Sequence, residues 1–81
     1  MKTPLKAEFE VTEADDTQIE VTFQPTESRY AFLRLEPSVE VSFRGVDHGQ
    51  LGEIDGYFES DVRQLARYLA EQEARKRRSV R

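Results

Sequence analysis

The sequence predicts an α+β fold: a four- to five-stranded antiparallel sheet with one C-terminal helix packed on one face. Two periodicities predict it. Up to about residue 58, apolar and polar residues alternate with the two-residue period of half-buried strands. From there on, apolar residues recur at spacings of three and four, as along one side of an amphipathic helix. Because 81 residues cannot fill a second core, we expect one domain over residues 1–74 and a basic tail over 75–81.

Short polar connections separate the predicted strands. The strands span about residues 5–12, 18–24, 30–35, 39–44 and 53–58. Connections this short favour antiparallel neighbours, because parallel strands need a long crossover. Glycines at positions 52 and 56 interrupt the fifth segment, so the sheet has four or five strands. The helix spans about 60–76, and its apolar stripe ends at Leu69, so its last turns extend past the sheet.

The third strand has bulky residues on both sides, and its orientation decides what the uncovered face of the sheet presents. With Ala31, Leu33 and Leu35 turned toward the helix, the opposite face receives two aromatic rings and a guanidinium. These are Tyr30, Phe32 and Arg34, with Tyr57 as a candidate neighbour. Because Tyr, Phe and Arg are enriched in the cores of protein interfaces, we expect a partner to contact them.

Carboxylates accompany these rings on the same predicted face. Strand alternation places Glu8, Glu10, Glu20 and Glu40 there. Residues two apart on a strand are separated by about 6.7 Å, so such rows resemble a line of phosphates in charge and rough pitch. A basic protein, including one that handles nucleic acid, would be steered toward them. The sequence thus favours a binding face that is both acidic and aromatic.

Charge is distributed unevenly along the chain. Residues 1–60 contain 13 acidic and 5 basic residues, whereas residues 61–81 contain 3 acidic and 7 basic ones. The basic side chains that could contact a nucleic acid are Arg63, Arg67, Arg75, Lys76, Arg77 and Arg78. Acidic residues four positions before several of them also explain these cations as an ordinary solvated helix end. The tail could instead contact the acidic surface of a second copy.

Residues with catalytic or metal-binding chemistry are few. His48 follows Asp47 in a glycine-bounded loop, but no third group completes a catalytic set. Asp15, Asp16 and Asp55 lack the spacing of a known metal site. The glycines do not match a phosphate-binding fingerprint. We therefore expect no enzyme activity, no catalytic residue, no metal and no cofactor.

The composition also bears on compartment and assembly. The chain contains no cysteine, which fits a reducing cytoplasm. Its apolar runs are far shorter than the roughly 20 residues that cross a bilayer, and its first residues lack the apolar stretch of a secretory signal. We expect a cytoplasmic protein without membrane contact. Because so small a core gives limited stability, a homodimer is plausible.

Together these features predict a small non-catalytic protein-binding module of the inhibitor, immunity-type or regulatory kind. It would engage a basic protein partner through the acidic and aromatic sheet face. Two alternatives stay open: nucleic-acid binding through the basic helix end and tail, and a homo-oligomeric structural role.

Overall fold

The computed structural model describes residues 2–35, 38–48 and 56–78, and it confirms the α+β fold. Four antiparallel strands form one sheet in the order β1-β2-β3-β4, and a long helix packs on one of its faces. The elements are a 3₁₀ turn at Lys6–Glu8, β1 at Phe9–Ala14, β2 at Gln18–Phe23, β3 at Ser28–Arg34, β4 at Val41–Asp47 and α1 at Glu59–Arg78. The helix therefore includes the first residues of the predicted tail.

The predicted fifth strand falls largely outside the described residues, as do residues 79–81 of the predicted tail. Within the described end of that segment, Tyr57 makes a single isolated parallel bridge with Lys2. This bridge ties the start of the chain to the segment that leads into α1. The described sheet thus has four strands.

The core is one layer of side chains between the sheet and α1. From β2, Ile19, Val21 and Phe23 are fully buried, as their alternation predicts. The buried stripe of α1 consists of four residues at four-residue intervals: Val62, Ala66, Ala70 and Ala74. The expectation that the stripe ends at Leu69 is wrong, because two alanines continue it for more than a turn. Alanine has the highest helix propensity, and its small side chain lets the helix lie close to the sheet.

The predicted orientation of β3 is wrong. Tyr30 and Phe32 are fully buried beneath α1, whereas Leu33 is 41% and Leu35 46% exposed. The pairing register fixes this, because Val21 and Ile19 of β2 lie opposite Tyr30 and Phe32, and paired residues point to the same face. Burying two aromatic rings also removes more apolar surface from water than burying alanine and leucine. Tyr30 and Phe32 are therefore core residues, unavailable to a partner.

The start of the predicted first strand is also wrong. The segment before Phe9 forms the 3₁₀ turn, and Leu5 is 61% exposed. The carboxylate of Glu8 stabilises this turn, since its Oε1 accepts a hydrogen bond from the backbone nitrogen of Leu5 at 2.9 Å. At the other end of the domain Phe58, expected in the helix stripe, is 55% exposed. It precedes the helix, and its carbonyl accepts hydrogen bonds from the first-turn nitrogens of Asp61 and Val62.

Candidate functional site

The sheet face opposite α1, called here the open face, presents polar and small side chains apart from Leu33. The strand pairing and the hydrogen bonds assign to it Glu10, Thr12, Glu13, Gln18, Glu20, Thr22, Arg29, Ala31, Leu33, Ser42, Gly45 and Asp47. All of them are exposed or half-buried. Of the residues predicted to contact a partner, only Glu10 and Glu20 lie on this face.

One cross-strand row runs through the middle of the open face. Glu13, Glu20, Ala31 and Gly45 are paired in turn across the four strands, and we call them the central row. Two β-bulges produce it, one in β1 between Val11 and Glu13 and one in β4 opposite the step from Ala31 to Phe32. Without its bulge, strict alternation from the half-buried, helix-facing Val11 would turn Glu13 toward the helix. A bulge has no characteristic pattern of residue types, so the sequence does not predict that Glu13 and Gly45 lie on the open face.

The central row forms the floor of a shallow trough of about 370 Å³ at its β3–β4 end. Ala31 and Gly45 make the floor low there because neither carries a side chain longer than a methyl group. Long side chains from neighbouring rows make the walls. On one side Arg29 donates a 2.7 Å hydrogen bond to Asp47, and on the other Arg44 donates to Gln18.

The three glutamates of the open face are held by neutral groups. Glu13 accepts a 2.9 Å hydrogen bond from the side-chain amide of Gln18, and Glu20 accepts one of 3.2 Å from the hydroxyl of Thr12. Glu10 is held in the same way by Gln24, at 2.8 Å. These contacts fix where the carboxylates point but leave their charges in place. Glu13 and Glu20 are direct cross-strand partners, so two acidic residues occupy neighbouring positions on this face.

Four other predicted contact residues lie away from the open face. Glu8 lies on the 3₁₀ turn, where its Oε2 accepts a 3.4 Å hydrogen bond from Tyr57. Tyr57 is buried edge-on against Phe23, and both this burial and the charge of Glu8 raise the pKa of its phenol. Arg34 ends β3 and donates a 3.0 Å hydrogen bond to the carbonyl of Asp15. Glu40 is exposed in the β3–β4 connection and accepts a hydrogen bond from Ser38.

Three of the candidate nucleic-acid contacts on α1, Arg63, Arg67 and Arg77, form ion pairs within the helix. Arg63 lies 3.5 Å from Glu59 and stacks over the ring of Phe43, with 5.0 Å between guanidinium carbon and ring centroid. Arg67 lies 3.7 Å from a carboxylate oxygen of Glu71 and donates a 3.1 Å hydrogen bond to the carbonyl of Val41. The last turns carry Arg75, Lys76, Arg77 and Arg78. Arg63 and Arg67 are thus interleaved with acids, whereas the end of the helix, residues 75–78, consists of four consecutive cations.

The basic end of α1 lies near the acidic turn between β1 and β2. Asp15 Oδ1 accepts hydrogen bonds from the backbone nitrogens of Thr17 and Gln18, both at 2.8 Å. These hydrogen bonds, and to a smaller extent the positive charge of Arg77, lower the pKa of Asp15. The basic C-terminal part of the chain therefore attracts the acidic N-terminal part within one molecule.

His48 takes part in a hydrogen-bonded chain that includes a serine. Ser28 lies 2.8 Å from the hydroxyl of Thr26 and 2.9 Å from Nδ1 of His48. A nucleophilic serine must be reachable by its substrate, and Ser28 is fully buried. The chain of hydroxyls and imidazole satisfies buried polar groups at the end of the core.

Two absences concern only the residues that the structure describes. Within them, no group of three or more potential ligand side chains is placed to hold a metal ion. No helix there combines the length and apolar character needed to span a bilayer.

Comparison of the chain with protein-family models finds no match, and neither the curated proteins nor the solved structures include one that is similar to it.

Proposed function

We propose that this chain is a small non-catalytic protein-binding module, an inhibitor, immunity-type or regulatory factor, whose open face docks on a basic surface of another protein. The observation that supports it is the pair Glu13 and Glu20. The two residues are paired across β1 and β2, and their carboxylates are held by neutral donors. A cation from a partner would relieve their mutual repulsion, so binding gains energy that the free chain lacks.

The charge of the whole face supports the same partner. Four carboxylates lie on the open face with the guanidinium of Arg29 and, at its edge, that of Arg44, and one of the four, Asp47, already pairs with Arg29. The remaining negative charge lies on β1 and β2, so a basic partner would be steered toward that half of the sheet. The absence of cysteine supports placing the protein in the cytoplasm.

The alternative of nucleic-acid binding has weaker support. Phosphate would compete for Arg63 and Arg67 with the carboxylates of their own helix. It would also approach a chain of net charge −4. A homo-oligomeric role is the other alternative, and sedimentation at several protein concentrations distinguishes it from binding by a monomer.

A labelled oligolysine peptide provides a probe of the proposed face. We expect fluorescence anisotropy to show binding that weakens as salt is raised, because the carboxylates are exposed to screening. Glu13→Gln combined with Glu20→Gln should lower the affinity about tenfold. Both substitutions keep an acceptor for the neutral donors.

The matched control removes two charges elsewhere. Glu27 and Glu40 are exposed and lie outside the open face. Their double glutamine variant has the same net charge as the first one, so it should bind the peptide within about twofold of the wild type. Equal losses in both variants, or binding that ignores salt, would contradict the proposed function.

A further inference from the structure

The trough of the open face has a low floor, and binding to the carboxylates of β1 and β2 alone would not require one. Its floor is formed by Ala31 and Gly45, while Arg29 and Arg44 from adjacent rows stand beside it. A β-carbon built on Gly45 would meet no atom within 4 Å, and the glycine does not lie in the left-handed backbone region. Neither packing nor backbone strain therefore requires a glycine at this position.

The trough leads toward the carboxylates of the central row. Adjacent strands are about 4.8 Å apart, so Gly45 and Glu20 are separated by about 10 Å across β3. Along this line the surface changes from small and uncharged to doubly acidic, ending at Glu20 and Glu13. On the walls, Arg29 pairs with Asp47 and also interacts electrostatically with Glu20, while Arg44 donates to the neutral amide of Gln18 and keeps its charge.

We infer that the trough receives a lysine or arginine side chain of a protein partner. The partner's backbone would lie over Gly45, the methylene stem over Ala31, and the cationic head at Glu20, beside Glu13. Such side chains bury an aliphatic stem along a surface while the charge remains at a polar site. This inference rests on the proposed function and names the group that the open face recognises.

The test fills the trough without touching a charge. In Gly45→Val, a β-branched side chain well suited to a strand occupies the floor. The matched control is Ser42→Val, which places the same side chain on the same face of β4 in a different row. Each variant is titrated with a labelled oligolysine peptide, and with a peptide of equal length and charge made of diaminobutyrate. The ammonium of diaminobutyrate is two methylenes closer to the backbone.

We expect Gly45→Val to lower the affinity for oligolysine about five- to tenfold, and Ser42→Val to leave it within about twofold. The wild type should prefer oligolysine to the shorter analogue, and Gly45→Val should abolish this preference. Circular dichroism establishes that each variant is folded. If Gly45→Val is not, Gly45→Ala replaces it with a smaller expected loss.

Two outcomes separate this inference from the proposed function. If Gly45→Val binds like the wild type while the Glu13→Gln and Glu20→Gln variant loses binding, the acidic face binds cations but the trough does not receive the side chain. If neither variant changes the affinity, both the inference and the proposed function are overturned.

Discussion

Tyr30 has an environment far from that of a solvated phenol. The residue is fully buried, and its hydroxyl forms no hydrogen bond of good geometry among the described residues. Burial in the core raises the pKa of the phenol above its ordinary value of 10.0, and the nearby negative charge of Glu59 raises it further. The folded state therefore holds Tyr30 in its neutral form.

This burial predicts a stability that depends on pH. Because the pKa of Tyr30 is higher in the folded than in the unfolded chain, its contribution is fully present below about pH 10 and is lost as pH rises beyond it. Tyr30→Phe removes the ionisable group, so this variant should lose less stability in alkali. The difference between the two proteins should grow by at most about 1.4 kcal/mol per pH unit. Urea unfolding between about pH 8 and pH 11 measures it.

The two curves should nearly coincide at neutral pH, because removing a buried hydroxyl without a partner costs little. Tyr57 titrates in both proteins and cancels in the comparison. Parallel loss of stability in wild type and Tyr30→Phe would show that the phenol of Tyr30 is solvated in the folded chain.

At the scale of a single element, mutations can test which side chains of β3 face the helix. If Phe32 faces the helix, Phe32→Ala leaves a cavity in the core and should lower the free energy of unfolding by about 3–5 kcal/mol. Leu33→Ala, on the neighbouring exposed position, should cost less than about 1 kcal/mol. Urea unfolding of both variants measures this. Should Phe32→Ala fail to fold, Phe32→Leu gives the same comparison with a smaller loss of stability. A larger loss for Leu33→Ala than for the Phe32 variant would contradict the orientation of β3 described above.

The sequence contained part of the information needed to orient β3. Alternation in β2 marks Ile19, Val21 and Phe23 as inward without ambiguity. The turn at 24–27 makes Ser28 the partner of Phe23, so the same face continues through Tyr30 and Phe32. A register shifted by one residue reverses every side chain of a strand, and the alternation within β3 does not by itself choose between the two.

Other features had no signal strong enough to predict. A bulge adds one residue to a strand without a characteristic residue type, so the central row could not be predicted from the alternation of β1 and β4. Both edge strands are bulged, which also hinders their pairing with another sheet. The burial of the alanines at 70 and 74 has no clear signal in the sequence, because alanine occurs on both buried and exposed faces of helices. The sequence thus predicted the elements well, but only two of the residues now proposed for binding.

At the scale of the whole molecule, charge is separated along the helix axis. The helix has 20 residues, about 30 Å, whereas a seven-residue strand such as β4 spans about 23 Å. The basic end of the helix lies at the same end of the sheet as the acidic turn at Asp15, and the backbone hydrogen bond from Thr17 and, to a smaller extent, the charge of Arg77 lower the pKa of that carboxyl group. A cationic partner at the open face would therefore meet some repulsion from the helix end of the same chain.

Deleting residues 75–81 tests this balance, since the deletion removes five cations and no carboxylate. If the open face is the binding surface, affinity for oligolysine should be retained and should rise about two- to threefold at low salt. Replacing Arg75, Lys76 and Arg77 by glutamine preserves helix length and should have a smaller effect of the same sign. Nucleic-acid binding makes the opposite prediction: a single-stranded oligonucleotide would bind the full chain and be released by either change. Anisotropy titrations with both probes therefore decide whether the basic end of the helix opposes binding or carries it out.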